Sequence, residues 1–267
     1  MKITDKTVWI TGASSGIGEA LTYAFAAAGA GKIIISGRRE NELERVKNNC
    51  PAGPQIVIQI ADVAQHEELV QIAEKVENQH GTIDVLVNNA GISQRGTVLE
   101  TGFETDKRIM DVDFFGTVAL TKAVLPAMVK KGDGMLVVMS SLSGKMGVPQ
   151  RSAYSAAKHA LHGFFDALRA ENTHLGIKVL LVCPGFIRTD ISKNALTADG
   201  TKSGKMDDNQ ANGMSPEALA NRILKAVRRE EREIYVGGKE KLGVFLKRFF
   251  PGILARILAK RGREGVN

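Results

Sequence analysis

The chain reads as a three-layer α/β fold in which a mainly parallel sheet is covered by helices on both faces. Three observations predict it. Short apolar runs of the fully buried type recur along the chain, stretches of helical spacing separate them, and the alternation continues to about residue 236 without a linker-like break. We read residues 1–238 as one domain, with 190–213 as a substrate loop and 239–267 as a basic, amphipathic C-terminal extension.

The first apolar run, 7–11, is followed at once by Gly12-Ala13-Ser14-Ser15-Gly16-Ile17-Gly18 and an alanine-rich helical stretch to about residue 28. Strand, glycine turn and helix in that order make an anion cradle. Glycines let the backbone come close to a pyrophosphate, and the N–H groups that open the helix attract it. A second strand, 32–36, ends in Gly37-Arg38-Arg39. In dinucleotide-binding folds an acidic residue at this strand end accepts the ribose 2′-hydroxyl of NAD, whereas arginine pairs a 2′-phosphate. With no acid at 36 or 37, Arg38 and Arg39 favour NADP(H) over NAD(H). The same two arginines would also serve as the solvated start of the next helix.

Strands at 55–60 and 83–87 follow, the first running into Asp62-Val63 and the second into Asn88-Asn89-Ala90-Gly91. A long helix is expected over 105–130, with Asp111-Val112-Asp113 inside it, then a strand at 134–140 and a helix at 152–175. On that last helix Tyr154 and Lys158 stand four apart, so phenol and ammonium share a face. A fixed ammonium favours the phenolate, which suits the phenol to acid–base work at neutral pH. Ser141, at the carboxyl end of the preceding strand, is placed to hold a substrate oxygen against it. A surface tyrosine beside a solvated lysine would have the same spacing, so the rest of the sequence has to decide. His159 and His162 lack a third ligand at matching spacing and are read as surface residues; no metal is expected. A sixth strand, 177–183, ends in Pro184-Gly185, a further helix spans 216–229, and 233–236 is the last strand.

Composition narrows the classes. Cys50 and Cys183 offer neither a disulfide framework nor a zinc pattern, which fits a reducing, cytoplasmic setting. The first strand begins almost at once, leaving no room for a leader peptide, and no apolar run of roughly 18 uncharged residues is present. The formal charge is +7, but 239–264 holds eight basic residues against two acidic ones, so the surplus of six in this tail is nearly all of it. Within the tail, 242–260 carries apolar residues at helical spacing on either side of Pro251-Gly252. Two uses fit: packing against the body or a second subunit at the rim of the cleft, which we favour, and peripheral contact with an anionic bilayer. No nucleic-acid-binding module is recognisable.

Thr11-Gly12-x3-Gly16-Ile17-Gly18, Asp62, Asn88-Asn89-Ala90-Gly91, Ser141, Tyr154-x3-Lys158 and Pro184-Gly185 stand in the order and spacing of one family. Over about residues 5–236 the chain resembles the short-chain dehydrogenases/reductases. The resemblance implies a Rossmann-type doubly wound sheet of seven strands, ordered 3-2-1-4-5-6-7, with a nicotinamide nucleotide at the strands' carboxyl ends. It implies Tyr154 as general acid, Lys158 as its charged partner and a ligand of the nicotinamide ribose, and Ser141 as the group orienting the carbonyl. Gly12, Ser14, Ser15, Gly16, Ile17 and Gly18 would form the phosphate turn. Asp62 would bond the adenine amino group beside Val63, and Asn88, Ala90 and Gly91 would flank the adenosine ribose. Pro184, Gly185, Ile187 and Thr189 would fix the carboxamide end. One position departs from the pattern: Asp113 stands where the family has asparagine, whose backbone carbonyl holds a water of the proton relay. The expected function is NADP(H)-dependent hydride transfer between the nicotinamide and an apolar carbonyl or secondary alcohol, in a homodimer or homotetramer. Two alternatives are a 3-oxoacyl-type reductase and a nucleotide-binding protein without turnover.

Overall fold

The structure, a computed structural model, describes residues 1–264. Strands β1 (Thr7–Thr11), β2 (Lys32–Gly37), β3 (Gln55–Ile60), β4 (Val85–Asn88), β5 (Gly134–Met139), β6 (Ile177–Pro184) and β7 (Glu233–Val236) form one sheet, ordered β3-β2-β1-β4-β5-β6-β7. Every pairing is parallel. The helices are α1 (Gly16–Ala27), α2 (Glu40–Asn48), α3 (His66–His80), α4 (Phe103–Met110), α5 (Gly116–Lys131), α6 (Ser152–Asn172), α7 (Asp208–Ala211), α8 (Pro216–Arg229), α9 (Leu242–Phe249) and α10 (Pro251–Glu264).

The expected topology follows from burial. Central strands β4 and β5 are buried at every position, so their branched side chains serve two cores at once, while edge strand β3 is only partly covered. On one face Val8, Ile10, Val85 and Val87 meet Leu21 and Phe25 of α1 and Leu219 and Ile223 of α8. On the other, Trp9, Leu86 and Leu136 meet Leu69 and Val76 of α3, Leu120 and Val124 of α5, and Phe165 of α6. Helix α8 is well delimited: the Ser215 hydroxyl accepts from the Ala218 N–H, Pro216 opens the first turn, and Arg228 and Arg229 close the last.

The helix expected over 105–130 runs from Phe103 to Lys131 but is not uniform. A π turn, Asp111–Phe115, joins α4 to α5. This stretch is apolar and long enough to cross a membrane by composition alone, yet Leu120, Val124 and Met128 are fully buried in the core. Gly116, just past the π turn, lies so close to α3's approach that a Cβ there would run into the Val63 carbonyl.

Because all strands are parallel, their carboxyl ends share one edge of the sheet, and the loops that leave them converge there. The amino ends are tied separately. Asp84 takes Lys6 at 3.1 Å and Lys131 at 2.6 Å and accepts from the Thr7 N–H at 2.8 Å, and Asp133 takes Lys178 at 2.7 Å.

Gly116→Ala should lower unfolding stability by about 1–3 kcal/mol, the usual cost of overpacking a tight contact. Urea unfolding measures it, and a midpoint equal to the parent's would show that α5 and Val63 can move apart freely.

Candidate active site

The turn after β1 is riveted to the loop after β4. The Thr11 hydroxyl accepts from the N–H groups of Asn89 and Ala90, both at 3.0 Å, and the Asn89 amide donates to the carbonyls of Thr11 at 2.9 Å and Gly12 at 3.2 Å. Gly12 takes φ +64°, and a Cβ there would lie 2.9 Å from Ala90 Cα. A Cβ at Gly18 would run into the Gly12 carbonyl. Only glycines allow this approach, and the turn delivers the first N–H groups of α1 with no side-chain cap on them. Those uncapped donors are what an anion would take.

Around the turn sit the predicted basic residues. The Arg39 guanidinium donates to the hydroxyls of Ser14 at 3.0 Å and Ser15 at 3.3 Å, so it already reaches across the cradle. Arg38 is mostly exposed and lies 3.7 Å from the Asp62 carboxylate, which Arg108 approaches to 3.3 Å. Asn88 ends β4 beside this turn. Its side chain is buried and donates to the Thr121 hydroxyl at 3.0 Å, in the core rather than toward the cleft. The neighbouring Asn89 lines the cleft instead, together with Gly91.

The carboxyl end of β5 and the first turns of α6 bring the predicted polar groups together. Ser141, Tyr154, Lys158 and Asp113 line one cleft with Ile17, Pro184, Gly185, Ile187 and Thr189. Ser141 opens a short 3₁₀ turn and its hydroxyl accepts from the Ser143 N–H at 3.1 Å. Lys158 is buried; its ammonium donates to the Met139 carbonyl at 3.0 Å, stands 3.3 Å from an Asp113 oxygen and lies 5.6 Å from the centre of the Tyr154 ring. Asp113 is fully buried within the π turn, and its other oxygen accepts from the Ile92 N–H at 2.7 Å. Burial pushes the Asp113 carboxyl above the ordinary carboxylate range, while the Lys158 ammonium and the Ile92 N–H pull it back.

Several residues of this region escaped the sequence reading. Arg95 and Arg151 both line the cleft and share the single Asp207 carboxylate, at 3.5 Å and 3.1 Å. Burial and the neighbouring Arg151 charge lower Arg95 to about 10. One positive charge is therefore uncompensated on this wall. No short motif announces it, because the three residues come from three loops. His162, read as a surface residue, is in fact buried: it pairs with the Ser140 hydroxyl at 2.9 Å beneath the active-site strand. The helical face that carries Lys158 inward carries position 162 inward as well, which the four-residue spacing could have revealed. His162, Cys183 and Glu233 have ligand atoms within 4.8 Å of one another, and the Lys145 ammonium is the cation on that carboxylate, at 2.8 Å.

The tail covers the mouth of the cleft. Val244, Leu246, Leu254 and Leu258 pack on Leu142, Met146 and Cys183, and Leu258 and Arg261 join the lining. Glu240 anchors its start by accepting from the N–H groups of Gly238 at 2.9 Å and Phe186 at 3.4 Å.

A sequence profile described as short chain dehydrogenase matches residues 6–200. The chain belongs to this family. It is 44% identical over 267 residues to the dehydrogenase/reductase SDR family protein 7-like of Drosophila melanogaster, covering 97% of this chain and 81% of the relative. It is 41% identical over 272 residues to dehydrogenase/reductase SDR family member 7B of Xenopus tropicalis, covering 98% and 87%. A crystal structure of a short-chain dehydrogenase from Streptomyces avermitilis superposes with a TM-score of 0.81 at 30% identity, covering 99% of both chains. The protein is thus an oxidoreductase of the short-chain dehydrogenase type, and the reading of a nucleotide-binding protein without turnover gives way to an enzyme.

Burial lowers His162 from 6.5 to about 4. The unfolded chain therefore binds an extra proton between these values, and stability is lost as pH falls from 6.5 toward 4. His162→Gln should remove about 2 kcal/mol of that acid-side loss, after discounting for solvent screening. Urea unfolding at pH 7 and pH 4.5 measures it; equal pH dependence in parent and variant would refute the assignment.

Proposed function

We propose that this chain is an NADP(H)-dependent reductase of carbonyl compounds, able to run in reverse on secondary alcohols, in which Tyr154 is the general acid and base. The observation that carries the reading is the convergence of Ser141, Tyr154 and Lys158 on one cleft that Ile17, in the glycine turn after β1, also lines.

The residues present fit a nicotinamide dinucleotide. Gly12 and Gly18 leave the backbone of the turn bare, the uncapped start of α1 would take the pyrophosphate, and Arg38 and Arg39 would face a 2′-phosphate. Asp62 would meet the adenine end, and Ile187 and Thr189 the carboxamide end. When bound, the reduced cofactor supplies the hydride.

The chain's own groups supply the rest. The Ser141 hydroxyl would donate to the substrate's carbonyl oxygen and hold it against Tyr154. The Tyr154 phenol would release its proton to that oxygen as carbon gains the hydride, giving the alcohol. The phenolate left behind lies beside the Lys158 ammonium, whose charge stabilises it. Lys158 stays in place because Met139 and Asp113 hold it from behind. In this chain the asparagine of the family relay is a carboxylate, and its role is to keep that ammonium oriented rather than to touch substrate.

The substrate would present an apolar body to Leu142, Met146, Val148, Phe186 and Leu258. Its polar end would lie near Arg95 and Arg151, where the surplus positive charge favours an electron-rich or anionic group. The apolar lining of the cleft favours a general carbonyl reductase over the 3-oxoacyl alternative, in a homodimer or homotetramer of the cytoplasm.

Tyr154→Phe should lower kcat/KM by about 10²–10⁴ while leaving NADPH binding, read by fluorescence, unchanged. Unaltered turnover would remove Tyr154 from the chemistry. Replacing Arg38 and Arg39 together by alanine should raise KM for NADPH roughly tenfold and leave KM for NADH alone. A parent enzyme that prefers NADH, or treats both alike, would overturn the choice of cofactor.

A further inference from the structure

Helices α9 and α10 each carry two apolar stripes, and only one stripe of each is used. Val244 and Leu246 on α9, and Leu254 and Leu258 on α10, pack inward over the cleft. Their solvent sides, next to these packed stripes, present Leu242, Phe245, Phe249, Phe250, Ile253 and Ile257, with Phe249 62% exposed. Three of them make a surface aromatic cluster: the Phe245 ring centre lies 4.8 Å from that of Phe249 and 6.1 Å from that of Phe250. A soluble amphipathic helix needs one apolar face. A second, contiguous one marks a binding surface.

The charges around it decide the occupant. Lys247 and Arg248 on α9 and Arg256 on α10 are exposed, as is Lys241 just before α9. The one acidic side chain near the start, Glu240, is turned inward onto the N–H groups of Gly238 and Phe186. A different exposed apolar group, Val98, Leu99 and Phe103, is flanked in sequence by Glu100, Glu104 and Asp106, and Lys107, 5.6 Å from the centre of the Phe103 ring, is paired with Glu104 at 2.8 Å, so that its surroundings are acidic on balance. A second copy is a poor partner for the tail, since a two-fold interface would set its surplus of six positive charges against the same six. An anionic bilayer surface satisfies both features, because aromatic and branched side chains enter the headgroup boundary while basic groups meet lipid phosphates.

We propose that α9 and α10 form a peripheral docking face for anionic membrane, and that the enzyme draws its carbonyl substrate from the lipid phase. The second half follows from geometry and rests on the reductase reading: α10 supplies both the outward Ile253 and Ile257 and the cleft-lining Leu258 and Arg261. Seating the outer face on a bilayer places the mouth of the cleft at its surface. The inner stripe keeps the roof closed over the cleft.

Co-sedimentation of the full chain with phosphatidylcholine vesicles, with and without phosphatidylglycerol, tests the docking. The parent should pellet with the anionic vesicles and be released by raised salt. The double variant Phe249→Ser, Ile253→Ser should bind roughly tenfold more weakly or worse, and Lys247→Glu, Arg248→Glu should lose the preference for anionic lipid. Neither pair touches the cleft, so both should match the parent's NADPH oxidation with a water-soluble ketone. A parent that stays in the supernatant, or a Phe249/Ile253 variant that pellets like the parent, would overturn the docking. So would light scattering in which the Phe249/Ile253 variant falls from an oligomer to a smaller species, since the patch would then be a subunit interface. Vesicle binding without turnover of any ketone would reject the reductase reading and uphold the docking, because sedimentation does not depend on catalysis. With both intact, a long-chain ketone embedded in anionic vesicles should be reduced faster by the parent than by the docking variant. Equal rates would refute uptake from the lipid phase.

Discussion

The buried pair of Asp113 and Lys158 is the interaction on which the arrangement of the cleft depends. Two opposite charges removed from water are costly, and removing either leaves the other unpaired in the interior. Here the pair is reinforced from both sides, by the Ile92 N–H on the carboxylate and the Met139 carbonyl on the ammonium. Four segments meet at it: the loop after β4, the π turn, the end of β5 and the second turn of α6. The π turn adds a residue to one helical turn, and Asp113 lies within it, aimed at the ammonium. Tyr154 then stands on the solvent side of a lysine that is held from behind.

Much of this was legible in the residues. Seven apolar runs, their order and the glycine turn are local signals, and parallel pairing with covered faces follows from them. The strand order and the assembly of Ser141, Tyr154 and Lys158 came from the resemblance, and the structure brings the three to one cleft. What stayed hidden depends on which way a side chain turns. Asn88 and Asn89 are adjacent and chemically identical, yet the first, at the end of β4, turns to Thr121 in the core, while the second, just past the strand, turns to the Thr11 carbonyl at the cleft wall. Arg95, Arg151 and Asp207 come together only once three loops have folded. The π turn has no sequence signature comparable to a glycine or a proline.

The tail illustrates how far periodicity can be read. Apolar residues at helical spacing showed that two amphipathic pieces would form, but each helix has an inner and an outer stripe. The pattern alone did not say that the inner one would roof the active site. Packing against the body, the use favoured from sequence, and an outward apolar face both hold, because they engage different sides of the same helices.

The charge network at the amino ends of the strands has a further consequence. Lys6, Asp84, Lys131, Asp133 and Lys178 sit at the end of the sheet opposite the cleft. A five-residue strand such as β1 spans about 17 Å, roughly two Debye lengths at physiological salt. Asp84 is buried and the lysines and Asp133 around it are partly open to water, so changing them acts first on folding stability and, at this distance, only weakly on Tyr154. Distance, not contact, separates the two ends of the sheet, which leaves one open to change in sequence, or to engineering for robustness, with little effect on the chemistry at the other.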